Sequence, residues 1–336
     1  MTDQPMALPS LDGAAVRVNY AVVPNQGEDS IAFATDTRGG FLCVADGCGG
    51  LGSRRYEEMA DQTGAYLAAR IATEVVKRWA PKGFPLPRTG AEGSALCGAL
   101  GTALGEELRR FEAGHQNRGS IRIVGRMQRA LPTTLCAALL ASGQKELDCL
   151  FFWAGDSRGY LLDGAGLHQL TADHSSGGPD AMESLYKDAP LTNLLCAGEP
   201  CLLSARRVRW KKPCVAVLAT DGAFSYLPTP MEFEWLLLST LHAATALAGW
   251  QKKLRNEMEK ITSDDGTLLM ALYGYESFEA LKLAMEPRRL ALQREYITPV
   301  RRRKQDVGYA QQKWREYREG YDRTEGTANG EPDWRI

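Results

Sequence analysis

Five apolar runs in this chain are bordered by acidic residues, and that arrangement limits what the chain can become. Asp46 follows FLCVA and precedes Gly47-Cys48-Gly49-Gly50. Asp221 follows CVAVLAT and precedes Gly222, and Asp156 follows FFWAG and precedes Ser157. Asp264 and Asp265 stand before Gly266-Thr267 and LLMALY, and Glu28 and Asp29 stand before SIAFA. Runs this short, rich in Val, Leu, Phe and Cys, read as strands. An unpaired carboxylate is too costly to carry into an apolar sheet, so each acid marks a strand end.

The spacing of the runs sets the fold class. Candidate strands are 16–23, 30–34, 40–45, 134–141, 147–154, 158–162, 206–210, 214–220 and 267–273. Tight breaks such as Ser142-Gly143 and Asp163-Gly164 favour antiparallel meanders over crossover units. Helical periodicity runs over 53–80, with Ser53 as N-cap, and again over 93–113 and 231–248, with a shorter polar version over 249–262. Residues 81–92 form a Pro/Gly linker, and 175–200 read as a long surface loop or flap. Strands in two groups with helices between and after them imply a layered α+β domain.

Near residue 276 small apolar residues give way to Arg, Glu, Gln, Tyr and Trp. The expected organisation is one domain over 14–275 and a charged, aromatic helical extension over 276–336. Residues 277–305 read as a helix interrupted at Pro299, and Arg301 to Lys304 as a solvated helix end. Tyr309, Trp314, Tyr317 and Tyr321 have partial helical spacing, which suits docking onto the domain or a partner. The closing stretch RTEGTANGEPDWRI reads as disordered.

Composition excludes several classes. Charged residues make up 24% of the 336 and the net charge is −1, so no nucleic-acid or membrane partner is expected. The apolar runs are too short to span a bilayer, and the start MTDQPMALPS has no signal-peptide pattern. The eight cysteines form no CxxC pair and several lie in apolar runs, which fits reduced core thiols in a cytoplasmic chain. With four histidines, a His-rich metal site or His-dependent hydrolase is a poor fit.

The acids remain to be explained. Apart from Lys260, no Lys or Arg lies within several residues of Asp46, Asp221 or Asp264. Converging carboxylates would repel and gain protons unless a cation held them. Oxygen ligands without adjacent His or Cys favour Mg²⁺ or Mn²⁺. Glycine after Asp46 lets the backbone approach, so the Gly47 carbonyl is a candidate ligand. A single Asp-Gly is usually a turn. Five acid-bearing strand ends together point instead to a metal-dependent hydrolase.

The order Glu28-Asp29-Ser30, Val44-Ala45-Asp46-Gly47-Cys48-Gly49-Gly50, Thr133-Thr134, Gly155-Asp156-Ser157-Arg158-Gly159-Tyr160, Thr171-Ala172-Asp173-His174-Ser175, Ala219-Thr220-Asp221-Gly222 and Asp264-Asp265-Gly266-Thr267 resembles the metal-dependent protein phosphatases (PPM, protein phosphatase 2C-like) of bacterial type. The resemblance covers roughly residues 16–275. It implies a four-layer α-β-β-α sandwich, two antiparallel sheets flanked by helices, with two Mg²⁺ or Mn²⁺ ions in a cleft at one end. It implies that Asp46 bridges both ions, that the Gly47 carbonyl, Asp221 and Asp264 bind directly, and that Glu28 and Asp29 hold metal-bound waters. Asp156 matches an aspartate for a third, weaker ion. The implied activity is hydrolysis of phosphoserine and phosphothreonine in a phosphorylated protein by a hydroxide shared between the ions. The implied setting is signalling opposite a serine/threonine protein kinase.

The chain departs from the family pattern in places. Pro24 stands where many members have an arginine that grips substrate phosphate, which makes Arg54 and Arg55 the substitute candidates. Cys48 stands where eukaryotic members often have histidine, Ser225 replaces a frequent aspartate, and Pro132 replaces the usual glycine. These departures support an alternative: a catalytically weak phosphatase-like domain that binds phosphoproteins or regulates a partner through its tail. Retention of Asp46, Asp221 and Asp264 favours the enzyme.

Overall fold

The computed structural model describes residues 10–115, 129–178, 180–187, 189–304, 306–323 and 334–335. The strands are β1 (Ala15–Tyr20), β2 (Ser30–Asp36), β3 (Gly39–Ala45), β4 (Arg55–Tyr56), β5 (Gln62–Thr63), β6 (Leu135–Ser142), β7 (Glu146–Ala154), β8 (Arg158–Asp163), β9 (Gly166–Gln169), β10 (Ser204–Lys211), β11 (Cys214–Ala219), β12 (Gly266–Tyr273) and β13 (Trp334–Arg335). The helices are α1 (Gly64–Trp79), α2 (Gly90–Gly114), α3 (Ala181–Ser184), α4 (Pro230–His242), α5 (Leu247–Ile261), α6 (Phe278–Leu292), α7 (Thr298–Arg302) and α8 (Val307–Tyr321). Two antiparallel sheets result, in the orders β1-β12-β11-β8-β9 and β13-β10-β7-β6-β3-β2, and β4-β5 is a separate small ribbon.

Side-chain alternation explains the layers. In β3, Leu42 and Val44 face the other sheet while Phe41, Cys43 and Ala45 face α1 and α2. In β12, Leu269, Ala271 and Tyr273 face inward while Leu268, Met270 and Leu272 meet α4, α5, α6 and α8. Both faces of these central strands are buried, so their sequences are continuously apolar rather than alternating. The architecture is the expected α-β-β-α sandwich. No helix among the described residues is long and apolar enough to cross a membrane.

Several boundaries differ from the sequence reading. The first helix begins at Gly64, not near Ser53, and its cap is Thr63, whose hydroxyl accepts from the Tyr66 amide. Ala60 and Asp61 adopt left-handed conformations and turn the chain back, so Arg55–Tyr56 pairs with Gln62–Thr63. The Tyr56 ring is buried, and its hydroxyl donates to Glu112 at 2.5 Å near the end of α2. Residues 231–248 do not form one helix. Buried Trp250 donates to the Leu237 carbonyl at 3.2 Å and the Thr240 hydroxyl at 3.1 Å, folding α5 back onto α4. Pro299 does not interrupt the run: α6 passes through a wider π turn at Gln293–Ile297 straight into α7, so the backbone stays helical from 278 to 302, with the π turn just ahead of Pro299.

The C-terminal helices complete the outer layer. Ala310, Trp314, Tyr317 and Tyr321 of α8 are buried in one cluster with Tyr160, Val217 and Met270. Glu234, fully buried on α4, accepts two bonds from Arg288 at 2.7 and 2.8 Å and one from the Tyr317 hydroxyl at 2.5 Å. A buried carboxylate with all these donors is compensated rather than orphaned. The closing stretch expected to be disordered lies mostly outside the described residues, but its Trp334 and Arg335 pair with Arg207 and Arg206 of β10. Edge-strand backbone groups there find ladder partners, which the polar composition did not signal.

Candidate active site

Antiparallel pairing alone gathers the acids at one end of the sandwich. Ser30 pairs with Ala45, which sets Glu28 and Asp29, before β2, beside Asp46, after β3. Ala219 pairs with both Leu268 and Arg158. Asp221, after β11, therefore lies near Asp264, before β12, and near Asp156, before β8. β6 then ties the β7 end to the β3 end through the pairs Leu135–Ala154 and Val44–Cys136.

A frame of hydroxyls holds these ends. The Thr133 hydroxyl and the Thr134 amide both donate to the Asp46 carbonyl at 2.8 Å. The Thr134 hydroxyl accepts from the Asp46 amide at 3.2 Å and lies 2.7 Å from the Ser157 hydroxyl, beside Asp156. The Thr220 hydroxyl donates to Asp29 Oδ2 at 2.8 Å and accepts from the Thr267 amide at 2.8 Å. Asp265 accepts from the Val22 amide at 2.9 Å and the Glu28 amide at 2.6 Å, which fixes the turn entering β2. Thr63 donates to Glu28 Oε1 at 2.5 Å while capping α1. Two glycines permit the close packing. A Cβ at Gly47 would sit 2.4 Å from the Ala65 carbonyl oxygen, and one at Gly222 would sit 1.8 Å from that of Asp265.

The electrostatics follow first from burial. Burial pushes Asp46 well above the usual carboxylate range, and Asp221, Asp29, Asp156 and Asp264 push it further. Asp221 is raised likewise, by burial first and then by Asp156, Asp264 and Asp29. Asp29 is raised to about 7 by burial, opposed by the nearby Thr267 hydroxyl and by the hydrogen bond from Thr220. Burial also raises Glu28, with Asp265 and Asp264 adding to the shift and Thr63 opposing it. No arginine or lysine is among the groups that dominate Asp46 or Asp221. Asp29 Oδ1 is buried without a hydrogen-bond partner, and Asp46, its close neighbour, offers no donor when ionised. Among the described residues, no three His, Cys, Asp or Glu side chains converge tightly enough to enclose one ion. The acids share one field rather than one point.

A profile of the protein phosphatase 2C family matches residues 23–259. The chain belongs to that family. Among solved structures it is similar to the serine/threonine phosphatase Stp1 from Staphylococcus aureus, with a TM-score of 0.56 and 16% identity over 81% of this chain and 99% of that one. It is also similar to the serine/threonine phosphatase PstP/Ppp from Mycobacterium tuberculosis, with a TM-score of 0.54 and 18% identity over 78% and 98% of the two chains. At these identities the likeness concerns the fold. No curated protein matches the sequence in a direct search.

In this phosphatase 2C family member the two candidate arginines lie apart from the core of the acid cluster. Arg54 forms an ion pair with Glu112 at 2.5 Å, donates to the His115 carbonyl at 3.1 Å and covers the Tyr56 ring. Arg55 donates to the Asp61 carbonyl at 2.6 Å, though it is near enough to lower the Glu28 carboxyl. His174 serves the loop before Asp156: its amide donates to the Gly155 carbonyl at 2.9 Å and its Nδ1 accepts from the Gly155 amide at 3.3 Å. Cys48 is raised by burial and then by Asp46, which leaves a protonated thiol rather than a reactive one.

Sequence reasoning missed the threonine frame and the Asp265 brace. Part of their signal was present, since a threonine adjoins an acid-bearing strand end at Thr220 and Thr267, whereas Thr133 and Thr134 have no acid beside them. It also missed the buried ion pair in which Arg158 donates to Asp173 at 2.9 and 2.6 Å, with both side chains under a tenth exposed.

Proposed function

We infer that this chain is a metal-dependent serine/threonine protein phosphatase that hydrolyses phosphoserine and phosphothreonine. The observation carrying this reading is the set of buried strand-end acids, Asp46, Asp221 and Asp29 foremost, raised above all by burial, with no lysine or arginine among the leading influences on any of the three. Such a set is costly in a protein interior unless positive charge is supplied from outside. The unpartnered Asp29 Oδ1 and the oxygen-only donors fit a hard divalent ion, Mn²⁺ or Mg²⁺. Asp46, the Gly47 carbonyl, Asp221 and Asp264 would hold two ions, with Glu28 and Asp29 acting through water and Asp156 at a weaker position. Such ions supply an acidified water and offset charge on the phosphoryl oxygens.

The protein's own residues do the positioning. Thr133 and Thr134 fix the Asp46 backbone, Thr220 orients the Asp29 carboxylate, and Asp265 fixes the Glu28 turn. Burial keeps competing water out and strengthens each charge interaction. A phosphorylated protein is the substrate, and a serine/threonine kinase is the opposing activity.

The attachment of Arg54 to Glu112 favours a second reading, in which the domain binds phosphoproteins with little turnover. Hydrolysis of a phosphothreonine peptide with and without Mn²⁺ separates the two. The enzyme reading expects Mn²⁺-dependent turnover that falls at least about a hundredfold in Asp46→Asn and in Asp221→Asn. Turnover that persists in chelator overturns it.

A further inference from the structure

The family profile ends at residue 259, and α8 lies wholly beyond it. Packing explains only part of this helix. Trp314, Tyr317 and Tyr321 fill the outer core, but two polar groups on α8 converge on one carboxylate, Asp180. Trp314 Nε1 donates to Asp180 Oδ1 at 3.0 Å and to Oδ2 at 3.2 Å, and Arg318 Nη1 donates to Oδ2 at 2.8 Å. Asp180 is also the N-cap of α3, accepting from the Met182 amide at 2.9 Å and the Glu183 amide at 3.2 Å. α3 has four residues, far too few to hold a helical turn without outside support.

α3 is joined in turn to the loops that carry two of the acids. Ser184 accepts from Arg158 Nη2 at 2.7 Å, and Arg158 follows Asp156 by two positions. The Arg158 guanidinium lies 4.3 Å over the ring of Phe224, just past Asp221. The Tyr186 hydroxyl donates to the Pro228 carbonyl at 2.8 Å, on the same loop. Polar contacts therefore run without a break from α8 through Asp180 and α3 to both loops.

We propose that Trp314 and Arg318 are positioning residues which, through Asp180, set the wall of the cleft that a protein substrate meets. This rests on the phosphatase reading above. Asp180 caps α3 through its own carboxylate, and within this junction Arg318 and the indole N–H hold that carboxylate in place. Without Arg318 and the indole N–H, the N-terminal end of α3 loses its side-chain tether and is left with buried Ala181 and Met182 and the Ser184 contact, while α8 stays docked. Its docking has separate supports: the buried aromatics, the Tyr321 hydroxyl donating to Gln169 at 2.9 Å, and the 2.6 Å contact between His168 and the Gly320 carbonyl. On this proposal a small phosphate ester is indifferent to α3, whereas a phosphopeptide, which extends beyond the acids, meets it.

The test compares the full chain with the double variant Trp314→Phe/Arg318→Ala in Mn²⁺, on a phosphothreonine peptide and on p-nitrophenyl phosphate. The expected result is a roughly tenfold rise in peptide KM with kcat/KM for the small ester unchanged, and recovery of most of the peptide loss in Trp314→Phe/Arg318→Lys. Equal losses on both substrates, or no loss on either, overturn the proposal. Amide hydrogen exchange is read alongside. Residues 180–187 should exchange faster in the double variant while residues 310–321 stay protected. This readout needs no turnover, so a chain that hydrolyses nothing sinks the phosphatase reading while exchange still decides the role of α8. Unchanged exchange at 180–187 overturns it.

Discussion

Thr220 donates its hydroxyl proton to Asp29 at 2.8 Å across 191 residues of sequence, and in doing so ties one sheet to the other. Thr220 follows β11 of the five-stranded sheet, and Asp29 precedes β2 of the six-stranded one. The same hydroxyl receives the Thr267 amide, so one buried oxygen organises three strand ends.

Thr220→Val keeps the side-chain shape and removes that oxygen. It leaves Asp29 Oδ2 and the Thr267 amide without their partner in a buried setting, at a cost of about 1–3 kcal/mol. Urea denaturation should show this loss, and a Mn²⁺ titration followed by thermal melting should show weaker stabilisation by the ion.

The ion-free chain should be more stable in mild acid than in mild base. Asp29 is raised from 3.8 to about 7 on folding, so the folded form holds more protons across that interval. The stabilisation is complete below the lower value and is lost as pH rises through the higher one. Burial and mutual repulsion push Asp46 and Asp221 in the same direction. In chelator, Tm should fall between roughly pH 5 and pH 8, and saturating Mn²⁺ should reverse the trend because it binds the deprotonated acids. A Tm that rises with pH in chelator would contradict the assigned field.

Asp46→Asn and Asp221→Asn should each separate stability from activity. Each removes one charge from a repelling set, so in chelator at neutral or higher pH the variants should melt at or above the parent. Each should also lose most of the Tm gain on adding Mn²⁺. Scanning calorimetry with and without the ion checks both halves.

Glu234→Ala should be among the most destabilising single changes in the outer layer. It strands Arg288 and the Tyr317 hydroxyl at a site where the carboxylate is fully buried, at a cost of about 3–5 kcal/mol. Tyr317→Phe removes one hydrogen bond and should cost about 1 kcal/mol. Urea midpoints for the two variants give the comparison.

Much of the fold was legible because burial on both faces turns central strands into unbroken apolar runs, as in CVAVLAT and LLMALY. The acids were legible as strand ends for the same reason: an apolar run stops where the sheet stops. The ribbon at 55–63 was not legible. Met59 and Thr63 happen to continue the helical period, while the reversal depends on left-handed Ala60 and Asp61, of which alanine rarely adopts that conformation and a lone aspartate is a weak signal for it. Helix α8 showed in the spacing of Trp314, Tyr317 and Tyr321, but its attachment to Asp180 links positions 134 and 138 residues apart. Hydrogen bonds at that range follow from how the layers assemble and leave no local pattern to read.

The five-stranded sheet draws on both ends of the chain, with β1 paired to β12 and α8 closing over its outer face. A ribosome must therefore deliver everything from β1 through α8 before this half can finish folding. A product cut short ahead of α8 would emerge with the side of Tyr160 that meets Tyr321 uncovered, a target for chaperones and degradation rather than a working shorter form.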